Sequence, residues 1–101
     1  MTMPDFLNKV HDRNIDHEHL RRAFFELMHP SYAFQNLSET DRAFIYDLIL
    51  KHRDKLFQNL HPTETEIDHE YYSIWEKRLA LGLLENDLKI IKEILHSFKA
   101  N

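Results

Sequence analysis

Cysteine is absent from the 101-residue chain, which excludes a disulfide, a thiolate zinc site and a cysteine nucleophile. Glycine occurs once, at Gly82. A P-loop, a nucleophile elbow or another glycine-rich phosphate turn cannot be built from one glycine, so the chain is expected not to be an enzyme. With only three prolines as well, turn-forming residues are too scarce for a β sandwich or barrel, and an all-α fold is expected. Long apolar runs are missing too. No stretch reaches the ~18 apolar residues of a membrane span, and "MTMPDFLNKV" at the start has no signal-peptide core. These absences lead to the expectation of a cytoplasmic protein with no membrane partner.

An excess of basic charge is also lacking. Thirteen Lys and Arg stand against 17 Asp and Glu, a net charge of −4, whereas a duplex-binding domain carries a basic face for phosphates. Hydrophobic residues are plentiful at 43%, enough for one packed core in a single domain over residues 1–101. Eight histidines make the charge sensitive to pH near neutrality.

Start and stop signals divide the chain into helices. Residues 4–10, "PDFLNKV", predict a short N-terminal helix of one or two turns. Asp16 caps a helix over "HEHLRRAFFELMH", which Pro30 ends. "PSYAFQN" is expected as a connecting loop. Ser38 and Asp41 start a long helix to about Leu60. Its apolar arc includes Ile45, Leu48, Ile49, Leu56, Phe57 and Leu60, and its narrow polar stripe is Asp47, Lys51, Asp54 and Gln58. That pattern places this helix at the centre. Pro62 breaks it, and Thr63 with Glu66 forms a capping box for the next. Beyond that, Ile67, Tyr71, Ile74 and Trp75 share one face, while Leu84, Leu88, Ile91, Leu95 and Phe98 share another roughly 160° away. A straight helix would aim the two halves at opposite sides. The chain is therefore expected to break near "ALGLLEND", with Gly82 in a left-handed cap and Asn86 or Asp87 capping the last helix. The sum is a small antiparallel four-helix bundle with the short N-terminal helix added.

The stretch "PTETEIDHEYY" contains Glu-x-x-His, the spacing that di-iron bundles use to aim two ligands inward. The spacing occurs at Glu26–His29, Glu66–His69 and Glu93–His96. Helical geometry puts each pair opposite its helix's apolar face: Glu26 and His29 lie roughly 160° from the Leu20, Ala23, Phe24 and Leu27 face. No metal and no cofactor are expected, and His17 and His19 in "HEH" offer only an adventitious surface site. The acids Glu64, Glu66 and Asp68 favour a helix start, where the macrodipole rewards negative charge by ~0.3–1 kcal/mol each.

The tail "ILHSFKAN" resembles the phosphoacceptor stretch of histidine phosphotransfer domains: His96 is followed three residues later by Lys99 and then by the small Ala100. Those domains are four-helix bundles of about this size, and the resemblance implies His96 as the phosphoacceptor. The pattern also calls for a following helical hairpin, which this sequence does not contain. "ALGLLENDLKIIKEIL" is similar to a helix-turn-helix, with Gly82 in the turn and Leu88 six residues on. Arg78 stands where that motif has a small residue, and Lys89, Lys92 and Glu93 give its second helix a weak basic face.

Partner surfaces remain. Phe25 falls roughly 130° from the core face of its helix, among Glu18, Arg21, Arg22 and His29. An aromatic ringed by charge is one form of binding hot spot. The alternative is that "MPDFLNKV" folds back and covers it with Phe6, Leu7 and Val10. Tyr71 and Trp75 are expected in the core and Tyr72 at its boundary. The acidic run Glu64, Glu66, Asp68 and Glu70 offers a surface to a basic partner, or is simply a solvated face. The expectation by elimination is a small protein-binding regulator, adaptor or inhibitor, with a homodimer expected. The second reading is a helix-turn-helix DNA-binding regulator.

Overall fold

The computed structural model describes residues 1–99, and all the regular structure among them is helical. Five helices open on a side chain that supplies the acceptor their first turn lacks. α1 (Met3–Val10) starts where Thr2 Oγ1 accepts the Asp5 N–H at 3.3 Å. α2 (His17–Leu27) starts on Asp16, which accepts the His19 N–H at 2.8 Å. Ser31 begins α3 (Tyr32–Gln35), Ser38 begins α4 (Glu39–Phe57) and Thr63 begins α5 (Glu64–Glu76) in the same way. Each such cap stabilises its helix by ~1 kcal/mol. One further turn, α6 (Arg78–Leu81), follows α5, and α7 (Glu85–His96) is the last.

Two helix ends use left-handed residues. Gly82 has φ 73° and lets the Leu83 N–H return to the Arg78 carbonyl at 3.0 Å, so the expected break is present. Asn59, at φ 60°, does the same for α4, with the Leu60 N–H returning to Lys55 at 2.8 Å. That turn ends α4 at Phe57 and throws Leu60 into solvent, so Leu60 does not belong to the apolar arc. At the start of α7 the expected cap works in reverse. Leu84 occupies the cap position, is exposed rather than buried, and gives its N–H to the Asp87 carboxylate at 3.0 Å. The segment expected as a loop after Pro30 contains α3, which buries Phe34.

α4 lies at the centre, with α2 against one side and α7 against another; α5 packs on α7 and α1 on α2. The expected core positions Leu20, Ala23, Phe24 and Leu27 of α2 are buried, as are Leu88, Ile91, Leu95 and Phe98. Tyr71 and Trp75 are half-buried against that core. α1 contributes more than a stray turn: Phe6 and Val10 are fully buried, and Phe6 meets Phe24 at 5.8 Å. Phe24 in turn meets Phe34 edge-on at 5.4 Å and Tyr46 at 6.2 Å. No helix among the described residues is long and apolar enough to cross a membrane.

Candidate protein-docking face

Arg42, Tyr46, Ile49 and Arg53 follow one another along α4 at helical spacing, the first and last within about 20° of the same direction. The middle of this stripe is sealed. Ile49 is fully buried, and the Tyr46 hydroxyl donates to the His17 carbonyl at 2.6 Å, tying α4 to the start of α2. Burial pushes the Tyr46 phenol up to about 12, although Arg21 and Arg53 pull the other way.

At the Arg53 end the stripe is covered. Arg53 is buried, and its guanidinium donates to the carbonyls of Val10 (2.9 Å), Asp12 (2.8 Å) and Ile15. These are backbone acceptors at the end of α1 and in the loop after it. Their only other routes to satisfaction are water and the turn itself. Beside Arg53, the His52 ring is 1% exposed and stacks on Phe98 at 6.2 Å, while His11 approaches Phe98 at 5.2 Å and places its Nε2 3.0 Å from the Ser97 hydroxyl. Burial holds both imidazoles below the usual histidine range, with Arg53 adding to the effect at His11.

At the Arg42 end nothing covers the stripe. The Arg42 guanidinium lies over the Phe25 ring at 5.6 Å, and the Arg21 guanidinium over the Tyr46 ring at 5.4 Å. Phe25 is 37% exposed. The N-terminal segment packs its Phe6 on Phe24, the neighbouring residue, and leaves Phe25 open to solvent. Hollows of about 340 Å³ each flank Phe25. The first, between α2 and α4, is lined by Arg21, Glu39, Arg42, Ala43, Tyr46 and Asp47; the second reaches His29, Phe34 and Gln35. Among the described residues, Arg21, Arg42, Glu39 and Asp47 form no side-chain hydrogen bond and no ion pair with one another or with any other side chain. Arg22, by contrast, is spent on Glu18 at 3.3 Å, one turn away on α2.

The acidic run is largely engaged within the fold. Glu70 meets Lys51 of α4 at 2.8 Å, and that ammonium holds its carboxyl below the usual carboxylate range. Asp68 lies 3.0 Å from His96 Nε2 at the end of α7, and Glu64 lies 3.9 Å from Lys99. Only Glu66 of the four has no such neighbour among the described residues. Tyr72 is exposed and stacks on Trp75 at 5.4 Å, with the Arg78 guanidinium 3.6 Å from the indole.

The Glu-x-x-His pairs are not brought together. Glu26 on α2, His29 in the turn after it, Glu66 and His69 on α5 and Glu93 on α7 are all exposed, and no group of three potential ligands is gathered among the described residues. His96 departs from the expectation of an outward ring: its side chain is 22% exposed because it turns toward Asp68 of α5. The resemblance to phosphotransfer domains ends at Ala100, which lies outside the described residues. On α7, Lys89 and Lys92 are exposed beside Glu85 and Glu93, and Lys92 leans over the Tyr71 ring at 5.4 Å. Not every imidazole and carboxylate faces out: His52 (1%) and Asp87 (2%) are buried, and His11, Glu70 and His96 are half-buried. Buried Arg53 had no signal in the hydropathy pattern either. The chain matches no family model, no curated protein and no solved structure.

Proposed function

We propose that this protein acts by binding protein through the α2–α4 face, as a small regulator, adaptor or inhibitor. The observation that carries the reading is Phe25, a large aromatic left open between two hollows, with guanidiniums stacked on it and on Tyr46. Arg and aromatic side chains dominate the energetic centres of protein interfaces, because they bury much area and lose little rotamer freedom when already stacked. The charged groups around Phe25 suit a rim that excludes water from such an anchor. The lack of cysteine suits a reducing cytoplasm.

The test compares capture by immobilised wild-type protein and by the Phe25→Ala variant, with both melting curves recorded. Under this reading Phe25→Ala loses bound protein while its melting temperature moves by only a few degrees. Equal capture by the two proteins, or a collapse in stability that accounts for the loss, counts against it.

A further inference from the structure

Resting on that reading, we infer that the α2–α4 face docks a second copy of this chain, related by a two-fold axis. A two-fold interface sets a surface against itself, so the surface must carry both halves of every contact. This one does. Around the first hollow its charges are balanced, with Arg21 and Arg42 against Glu39 and Asp47, all four without ion-pair partners among the described residues, and at the second hollow Glu26 lies 4.0 Å from the N-terminal ammonium. An apolar anchor is present as well: Phe25, 37% exposed, lines the same hollow as the small Ala43 and Tyr46.

Electrostatics favours this occupant over a strongly acidic or basic one. Two chains of net charge −4 repel each other through most of their surfaces, and a neutral face with both signs removes that penalty locally. A highly charged partner would find as many like charges here as opposite ones. The fold does not need the second copy to exist. Its accessible surface of 6260 Å² is close to the ~6,100 Å² of an ordinary folded monomer of 12.3 kDa. Association is therefore reversible and concentration-dependent rather than a condition of folding.

The experiment is sedimentation equilibrium on three proteins whose fold is checked by circular dichroism: wild type, Arg21→Glu/Arg42→Glu, and Glu39→Arg/Asp47→Arg. Wild type is expected to move from a one-chain to a two-chain mass between about 1 and 500 µM. Each charge-reversed protein alone is expected to associate at least about tenfold more weakly. Their equimolar mixture is expected to form a heterodimer at least as tight as wild type, weakened by salt. If either reversed protein fails to fold, Phe25→Ser replaces it and must remain one chain in mass. A wild type that stays monomeric at 500 µM overturns the inference, as does a dimer indifferent to all these substitutions. A monomer that still captures another protein in a Phe25-dependent way leaves the docking face standing with a different occupant. A monomer whose captures ignore Phe25 removes both.

Discussion

At the start of α4, Arg42 lies across the Phe25 ring with its Nε unmatched; about three turns further on, on the same stripe, Arg53 spends its donors on three backbone carbonyls. Residue type, helix and direction are shared. The difference is the cover. α1 and its following loop roof the Arg53 end, and the guanidinium beneath supplies donors to backbone carbonyls that no strand or helix partner serves. No element roofs the Arg42 end. A buried arginine whose donors are matched is part of the structure; one stacked beside an open aromatic is, on the proposed reading, capacity for binding.

The sharpest way to break this comparison is beneath the two ends. Phe24→Ala empties the aromatic cluster of Phe6, Phe34 and Tyr46 and is expected to cost ~3–5 kcal/mol in urea unfolding. Arg53→Ala comes next, at ~2–4 kcal/mol, because it takes the donor from the Val10 and Ile15 carbonyls and leaves Asp12 only the Ile15 N–H at 3.2 Å. Arg42→Ala is expected to stay within ~0.5 kcal/mol of wild type, since its guanidinium meets no protein acceptor. Equal costs for the two arginines would mean that the Arg42 end is also structural.

Much of the fold was legible before any coordinates. Asp16, Ser38 and Thr63 announce helix starts by chemistry that acts within four residues, and Gly82 marks a conformation that side chains disfavour. The Leu20, Ala23, Phe24 and Leu27 spacing fixes which way α2 faces. What stayed hidden depends on distant segments. Hydropathy treats His52, Arg53 and Asp87 as wet, because the ring and carbonyls that receive the first two come from elsewhere in the chain and Asp87 is buried in capping Leu84. α3 is too short to show a period, and Asn59 gives no warning that it will turn Leu60 outward. Of the candidate site, Phe25 and Arg21 were visible as an aromatic among charges. Arg42, Glu39 and Asp47 were not, since they come from another helix and join Phe25 only in the packed chain.

The covered end also predicts a pH dependence. Burial lowers the His52 and His11 pKa values below the unfolded 6.5, so the folded state favours the neutral rings. Their contribution is complete above pH 6.5 and is lost as pH falls below it, at up to about 1.4 kcal/mol per pH unit for each ring fully shifted. Around His52, Lys51 and Lys55 reinforce the shift and Glu66 and Glu70 oppose it, with burial the largest cause. Urea midpoints measured from pH 7.5 to 5 are expected to fall, and to fall less steeply in His52→Leu. Parallel curves would remove His52 as a source. Phe25→Ala is also expected to cost little, at ~1 kcal/mol or less by thermal melting, because its ring is already partly in water. Its effect on association should exceed its effect on melting.

The central proposal, that the docking face is the Arg42 end of the stripe rather than the acidic run, is tested most directly by dilution in ¹H–¹⁵N NMR. Between about 500 and 10 µM, amide signals of Arg21, Phe25, Arg42, Ala43 and Asp47 are expected to shift together, while those of Glu64, Glu66, Asp68 and Glu70 hold still. Shifts confined to residues 64–70, or none anywhere together with a partner that binds there, would contradict it.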